Sequence, residues 1–263
     1  MDKPGIKPEV PVIEMTGLSV GSRDDPARPV LENVNWSVLA GEYWVIGGLH
    51  GSGKSDFLFM TAGLTPPLQG GYRLFGQAMP VPGDQFLAER LRIGLVFDGG
   101  QLFPHLTIEE NIALPLRYHR DLAHGDLDKS VKTMLELTGL WPQAGGLPGK
   151  MGRAWQKRAG LARALVLQPE VLLLDNPLGG LDCRHVQWWL DALDQLSTGR
   201  GFFQGRPMTL VAAAEDLRPW RNRAAHFAIL QQRQFCPLGH HPQPGRLADP
   251  LVQELLAEPP GAG

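Results

Sequence analysis

The sequence predicts an α/β fold with a mainly parallel β-sheet, and three observations support this prediction. Strand-like runs alternate with helical stretches through most of the chain, which is typical of proteins with parallel sheets. The run VLLLD at residues 171–175 is continuously apolar, as expected for a strand buried on both faces. A glycine-rich segment, GLHGSGKS at residues 48–55, lies between a predicted strand and a predicted helix. We therefore expect a main α/β domain, with a smaller subdomain where the pattern turns helical.

The remaining strands and helices are predicted from residue composition and from the Gly and Pro residues that separate them. Further strand-like runs, rich in β-branched and aromatic residues, are VIEMTGLSV, VLENVNWSV, EYWVIGG, LRIGLVF, PMTLVAAAEDL and the hairpin HFAILQQRQF. Helical stretches are SDFLFMTAGL, TIEENIALPLRYH, DKSVKTMLELTGL and QKRAGLARALVL. The first strands predict an N-terminal β portion, and residues from about 104 to 165 predict the helical subdomain. We expect flexible tails at 1–10 and 257–263, with the folded domain at 11–256.

Composition limits the classes of partner. The chain has 263 residues, a formal net charge of −2 and no basic stripe, so it does not favour a nucleic-acid partner. The N-terminal residues MDKPGIKPEV lack the apolar region of a signal peptide. No apolar run approaches the roughly 20 residues that span a bilayer. We therefore expect a cytoplasmic protein that reaches a membrane only through a partner.

The segment 48–55 fits the phosphate-loop pattern G-x-x-x-x-G-K-[ST] in full. Its residues are Gly48, Leu49, His50, Gly51, Ser52, Gly53, Lys54 and Ser55. Glycines let backbone N–H groups turn toward phosphate oxygens, and the following helix N-terminus favours an anion. We expect Lys54 to reach the β- and γ-phosphates of a nucleotide and Ser55 to bind Mg²⁺.

Two further blocks resemble the ATP-binding subunits of ABC transporters. RAGLARALVLQPEVLLLDNPLGGLD (158–182) is similar to that family's signature-helix, Walker B and D-loop block, and LVFDGGQLFPHLTIEENIALPL (95–116) is similar to its Q-loop region. The resemblance extends from about residue 12 to 256. It implies an ABC-type P-loop NTPase core with an N-terminal antiparallel β portion and a helical subdomain. It also implies ATP and Mg²⁺ as cofactors, Asp175 as the Walker B aspartate and Asp182 in the D-loop.

Three positions depart from the family pattern where hydrolysis would be driven. The residue after Asp175 is Asn176, where the family has a glutamate that acts as general base. The Q-loop glutamine position holds Asp98, because Gln101 is not its equivalent in ungapped register. Glu215 stands at the switch-histidine position, and a carboxylate beside a triphosphate is unfavourable. Since an amide cannot accept a proton usefully and losing a base costs about 10²–10⁴ in rate, we expect weak hydrolysis or none.

The signature motif and the adenine contact are altered as well. Ungapped alignment puts residues 151–155 (MGRAW) at the signature, while a second register uses 147–151 (LPGKM) with a four-residue insertion. In the first register Arg153 is either a solvated side chain or a cation for a phosphate. The aromatic residue that stacks on adenine in the family is missing, and Arg23 offers only weak stacking. Tyr43 and Trp44 lie nearby in sequence, and we favour a strand-core position for them.

Two short stretches point to one branch of the family. ENIALPLRYH and the tail LADPLVQELLAEP resemble segments of the Mla-type, MCE-associated phospholipid transporters, whereas LFPHLT is shared with other ABC importers and lipoprotein transporters. The resemblance implies an integral membrane permease, an MCE-type lipid-binding partner and a place at the cytoplasmic face of the bacterial inner membrane.

Two hypotheses about activity stay open. The chain is either a degenerate transport subunit, paired with itself or with a paralogous ATPase subunit, or a non-hydrolysing regulatory subunit that uses ATP to hold a dimer together. A soluble ABC protein of repair or translation is less favoured, because it would normally carry two such domains or an inserted arm.

Overall fold

A computed structural model describes residues 10–79, 86–120, 124–200, 205–240 and 249–256. Of the two predicted tails, 1–10 and 257–263, only residue 10 is among the described residues. The described part is an α/β fold in which two β-sheets and a set of helices form layers around shared cores, and the predicted fold class is confirmed.

The larger sheet has six strands and carries the phosphate loop. Its strands are β3 (Tyr43–Gly47), β6 (Ile93–Val96), β7 (Val171–Asp175), β8 (Thr209–Ala214), β9 (His226–Gln231) and β10 (Gln234–His240). They lie in the order β10-β9-β3-β8-β7-β6, and only the edge pair β9–β10 is antiparallel. The carboxyl ends of β3, β8, β7 and β6 therefore share one edge of the sheet, where open α/β sheets bind their ligands.

The smaller sheet is antiparallel and includes the N-terminal strands. It contains β1 (Ile13–Gly21), β2 (Pro29–Val38), β4 (Gln69–Leu74) and β5 (Gln77–Ala78), in the order β2-β1-β4-β5. The strands β4 and β5 were not predicted, because the segment LQGGY has the composition of a turn. Gly70 has φ +89, and a Cβ there would lie 2.4 Å from the carbonyl oxygen of Gly17. Close packing on β1 thus requires a glycine that propensity assigns to a turn.

Seven α-helices complete the described part. They are α1 (Lys54–Thr61), α2 (Leu87–Arg90), α3 (Ile108–His119), α4 (His124–Leu137), α5 (Arg153–Leu165), α6 (Cys183–Ser197) and α7 (Pro250–Leu256). Helix α3 packs against α4 and α5, and its N-terminus has a capping box between Thr107 and Glu110. Helix α6 was not predicted, although Trp189, Leu193 and Leu196 follow helical spacing and are buried.

The parallel sheet separates two hydrophobic cores. Tyr43 and Val45 of β3 face the core built with helices α3 to α6, whereas Trp44 and Ile46 face the core shared with α1 and the antiparallel sheet. Both faces of the strand are therefore covered, which explains the continuously apolar character of such strands. The strand-core position expected for the two aromatic residues is what the structure has, because both side chains are buried.

Candidate nucleotide-binding site

The loop between β3 and α1 has the backbone shape that its glycines predict. Gly51 and Gly53 have φ +76 and +91, and Gly53 is the N-cap of α1. A Cβ on Gly48 would lie 2.5 Å from Ser52 Oγ, so this position also requires glycine. No side chain caps the helix N-terminus. The first N–H groups of α1 are therefore available to an anion, in the geometry that binds phosphate.

Lys54 provides the positive charge inside this loop. Its side chain is 7 % exposed, and its Nζ donates hydrogen bonds of 2.7 Å to the carbonyl oxygens of Gly48 and Leu49. Burial lowers the pKa of Lys54, while the carboxylates of Glu215 and Asp175 oppose that shift. Ser52 Oγ is buried without a partner in the described residues. An inward lysine, a buried hydroxyl lacking a partner and uncapped helical N–H groups all fit the phosphates of a nucleotide.

The two predicted magnesium ligands lie together. Asp175 ends β7, and its side chain forms a hydrogen bond with Ser55 in the first turn of α1. Burial raises the pKa of Asp175, an effect partly countered by the Ser55 hydroxyl and the nearby cations Arg23 and Lys54. A carboxylate and a hydroxyl at this place fit Mg²⁺, which takes oxygen ligands and keeps several of its waters. These two residues would hold the ion beside the phosphates.

Asn176 has a left-handed backbone conformation, which partly explains why an asparagine occupies this position. Its φ is +48, a left-handed conformation that asparagine tolerates better than most residues. Its N–H donates to the carbonyl oxygen of Ala213 at 3.0 Å. Its side chain lies over Gly179, where a Cβ would come within 2.6 Å of three Asn176 side-chain atoms. The turn after β7 is thus packed around an amide that cannot serve as a general base.

Asp98 forms part of a cluster with two cations of α5. Arg153 donates to both carboxylate oxygens of Asp98 at 2.8 and 2.9 Å, and Lys157 Nζ lies 3.0 Å from the same carboxylate. Burial raises the pKa of Asp98, but the bonds from Arg153 and Lys157 outweigh it and the pKa is lowered. A carboxylate so stabilised is a poor proton acceptor. Arg153 is thus ion-paired with Asp98, while its side chain is 56 % exposed to solvent.

Lys157 is a site residue that sequence reasoning missed. Its side chain is 1 % exposed, and its Nζ donates to the carbonyl oxygens of Asn176 at 2.6 Å and Gly179 at 2.8 Å. The ammonium therefore connects the turn after β7 with Asp98, the residue two places beyond β6. The sequence carries one weak signal for this, a lysine on the first turns of a helix that is otherwise rich in Ala and Leu.

Glu215 follows β8 directly and faces the phosphate loop. Its Oε1 lies 3.4 Å from Nδ1 of His50 and 3.8 Å from Nζ of Lys54. The sequence placed a carboxylate where an anion beside a triphosphate is unfavourable. In the structure this carboxylate has two basic neighbours, both from the loop that was predicted to bind phosphate.

Arg23 and Asp182, two other residues singled out from the sequence, both form contacts within the chain. The Arg23 side chain donates to Asp56 at 3.1 Å, and its guanidinium carbon lies 4.2 Å from the centre of the Phe59 ring. It is thus engaged within the chain rather than free to stack on a base. Asp182 caps α6 by accepting from the N–H groups of Arg184 and His185 at 2.9 and 3.0 Å.

Comparison with known proteins decides the family. The model of the ABC transporter family matches residues 31–179, from β2 through the turn after β7. The chain belongs to the ABC transporter family. Its phosphate loop, its buried strand β7 and the helix α5 between the Q-loop and β7 lie within the matched region. The family binds ATP with Mg²⁺, and these are the cofactors of this ABC domain.

Curated relatives with different transport names are similar to this ABC domain. The glutamate transport ATP-binding protein GluA of Corynebacterium efficiens is 32 % identical over 71 % of this chain and 76 % of its own length. The taurine import protein TauB of Sinorhizobium fredii is 38 % identical over 61 % of this chain and 57 % of its own. The methionine import protein MetN 2 of Paraburkholderia xenovorans is 31 % identical over 81 % of this chain and 54 % of its own. The chain thus spans about half to three quarters of these relatives' lengths.

Solved structures agree with the observed fold. The dimeric structure of MJ0796, a bacterial ABC transporter cassette, has a TM-score of 0.75 and is 26 % identical. The comparison covers 85 % of this chain and 96 % of that one. The family match and the relatives make this chain the ATP-binding subunit of an ABC transporter. Such subunits pair as dimers and work with membrane permease subunits. Within the residues described, no helix has both the length and the apolar character to cross a lipid bilayer.

Proposed function

We propose that this ABC subunit serves a phospholipid transporter of the bacterial inner membrane, and that its own site hydrolyses ATP slowly or not at all. The observation that carries the second part is the combination of a complete phosphate loop with Asn176, Glu215 and Asp98 at the positions where the family has its catalytic residues. Binding groups are kept, whereas each position that would activate or orient water has another residue. Nucleotide would thus bind through Gly48–Ser55 and Asp175, with Mg²⁺ held by Ser55 and Asp175.

The lipid substrate is supported by two stretches, ENIALPLRYH on α3 and LADPLVQELLAEP, which contains α7. Relatives named for glutamate, taurine and methionine transport support import of a small solute instead. We favour lipid because both stretches resemble the same branch of the family, and the second includes α7, which packs beside the site. Leu255 of α7 packs against Gly47, where an added Cβ would lie 3.1 Å from Cδ1 of Leu255. The carbonyl oxygen of Leu255 accepts a hydrogen bond from the N–H of Leu217, two residues after Glu215. An MCE-type lipid-binding subunit is the further partner we propose.

A non-hydrolysing regulatory subunit is the second candidate function. It is favoured by Arg153, which stands at the signature position and is held by Asp98. In either case the chain pairs with a second copy or with a paralogous ATPase subunit, at the cytoplasmic face of the membrane.

Replacement of Lys54 by alanine tests the nucleotide site. We expect Lys54→Ala to weaken ATP binding at least tenfold, because it removes charge-assisted contacts worth about 1.5–3 kcal/mol. Binding is measured by titration calorimetry with Mg-ATP. The matched control is Lys132→Ala, since Lys132 is an exposed lysine of α4 that is paired with Glu136. Equal affinity in the Lys54 variant and the wild type would contradict the proposed site.

The permease is expected to dock in a groove between the parallel sheet and the helices. This groove has a volume of about 410 Å³, and Phe97, Gln101, Phe103, Pro115 and Leu167 contribute to its walls. Phe103 is 46 % exposed, and its backbone N–H and carbonyl oxygen are both bonded to the buried side chain of Asn111. An exposed aromatic residue on a rigid loop suits docking of a partner helix.

Purification of the tagged chain from native membranes is expected to recover an integral membrane permease together with phospholipid. Phe103→Asp is expected to reduce permease recovery at least tenfold, because it replaces an exposed aromatic contact with a charged side chain, and to leave ATP affinity unchanged. Tyr118→Asp is the control, since Tyr118 is 80 % exposed on α3 and does not line the groove. Recovery of a solute-binding protein without phospholipid would favour the small-solute reading, and permease recovery equal in both variants would exclude this docking surface.

A further inference from the structure

A separate cavity lies at the edge of the parallel sheet opposite the phosphate loop. It is lined by the segments that lead into three neighbouring strands: residues 40–41 before β3, 168–170 before β7 and 206–208 before β8. Its volume is about 280 Å³. These strands are parallel, and their opposite ends carry the nucleotide site. The length of the sheet therefore separates this cavity from the phosphate loop, and it is not part of the nucleotide site.

The walls of the cavity are largely apolar. Val12, Pro169 and Met208 are buried, and Ala40 and Pro207 complete the apolar lining nearer the surface. Ligand pockets in proteins usually have volumes of about 300–1,000 Å³, so this one is at the small end of the range. At about 30 Å³ for each water-sized group, it holds roughly nine non-hydrogen atoms. The size and lining fit the apolar part of a small molecule.

The polar groups on the walls favour an anion. Glu170 is already bound by Arg92, which donates to its two carboxylate oxygens at 2.7 and 2.9 Å. Arg206 is exposed, and within the described residues its guanidinium has no hydrogen-bond partner. Thr209 is 2 % exposed, and its Oγ1 accepts from the N–H of Gly41 at 2.9 Å, which leaves its hydroxyl hydrogen without an acceptor in the described part of the chain. Two guanidinium groups and one carboxylate leave a net positive charge at the cavity.

We propose that this cavity is a second ligand site of the subunit, and that it binds a small monocarboxylate with an apolar tail of about six to eight carbons. The carboxylate accepts hydrogen bonds from the Arg206 guanidinium and the Thr209 hydroxyl, a pairing that suits a singly charged anion. The tail packs against Val12, Pro169 and Met208. An amine of the same length would place a second cation beside Arg206. The inference is independent of ATP binding and of the lipid substrate.

Octanoate is the probe for this site. It is titrated into the full chain labelled with ¹³C at the methionine methyl groups, and the Met208 signal is assigned with Met208→Leu. We expect the Met208 signal to shift and saturate with a dissociation constant of about 1 mM, as is ordinary for a ligand of about ten atoms. Met60 is buried in the other core, beneath α1, and its signal is not expected to move. Octan-1-ol, octylamine and acetate are each expected to bind at least tenfold more weakly, because they lack the charge, invert it or lack the tail.

Variants on the cavity wall test the two donors. Arg206→Gln is expected to weaken octanoate binding at least tenfold, since it removes a charge-assisted hydrogen bond, whereas Arg206→Lys keeps the charge and should retain part of the affinity. Thr209→Val is expected to weaken binding several-fold and Thr209→Ser to preserve it. Arg120→Gln is the matched control, because Arg120 follows α3 and is exposed.

Three results would overturn the proposal. They are a Met208 signal that does not move, equal affinity for octanoate and octan-1-ol, and equal octanoate affinity in Arg206→Gln and Arg120→Gln. Lys54→Ala is expected to bind octanoate like the wild type, because the phosphate loop takes no part in this site. Failure of ATP binding with octanoate binding intact would therefore contradict the nucleotide site alone, and the reverse result would contradict only the second site.

Discussion

ATP turnover by the purified wild-type chain is expected to be slower by about 10²–10⁴-fold than in an ABC domain with a glutamate in place of Asn176. An amide cannot remove a proton from the attacking water. Asp98 is a poor substitute, because Arg153 and Lys157 hold its carboxylate as an anion and lower its pKa. Glu215 already contacts His50 and Lys54. The described surroundings of the site therefore contain no carboxylate that is both near the water position and free to accept its proton.

Pairing does not restore the missing groups. ABC sites are composite, in that one subunit supplies the phosphate loop and base and its partner supplies the signature. In a homodimer both sites would lack the glutamate and would meet the altered signature, which the ungapped register puts at residues 151–155. In a heterodimer one site would lack its base, and the other would face this chain's signature, where Arg153 is bound to Asp98. Slow turnover, or a long-lived ATP-bound dimer, is expected in both arrangements.

Asn176→Glu is expected to recover part of the activity, and Asn176→Glu with Glu215→His to recover more. Recovery should stay incomplete, because position 176 has φ +48 and a glutamate there is strained by about 1 kcal/mol or more. Steady-state phosphate release is measured on the complex, with Lys54→Ala as the background control. Wild-type turnover of about 1 per second or faster, lost in Lys54→Ala, would show that the site is competent.

Loss of the Lys157 ammonium is expected to destabilise the fold by about 2–4 kcal/mol. Lys157→Met keeps the apolar stem but leaves the carbonyl oxygens of Asn176 and Gly179 without their bonds from Nζ. Removing one partner of a buried ion pair typically costs about 3–5 kcal/mol. We expect somewhat less here, because Asp98 is 36 % exposed and keeps Arg153 as a partner.

The free energy of unfolding is measured by urea denaturation of the isolated chain. Lys132→Met is the matched control, because Lys132 is 59 % exposed on α4, where its ammonium lies 4.0 Å from Glu136 and 5.4 Å from the centre of the Trp141 ring. Such a surface pair contributes about 0.5 kcal/mol or less. Similar losses for the two methionine variants would show that Lys157 does not connect the turn after β7 to Asp98. A large loss of unfolding free energy in Lys157→Met with unchanged ATP affinity would show that the cluster stabilises the fold but does not contribute to nucleotide binding.

Local sequence signals were sufficient for the phosphate loop and for most of the strands. Gly51 and Gly53 belong to one eight-residue motif, and their positive φ values are required by the shape of that loop alone. The run VLLLD predicted a doubly buried strand, because burial on both faces leaves no polar alternation in the sequence. The order of these motifs was also enough to indicate the family. Strand β4 escaped prediction because its glycine pair has the composition of a turn, whereas α6 was missed although its apolar residues follow helical spacing.

Only the tertiary structure decided which side chains meet at the site. The sheet order β3-β8-β7-β6 is not the chain order, and it brings together loops that are far apart in sequence. Lys157 contacts Asn176 and Asp98 because α5 lies beside two such loops, and His50 reaches Glu215 because β3 and β8 are neighbours. The local sequence around Lys157 or His50 does not indicate which residues these side chains contact. Their chemistry depends on distances that exist only once the sheet has formed.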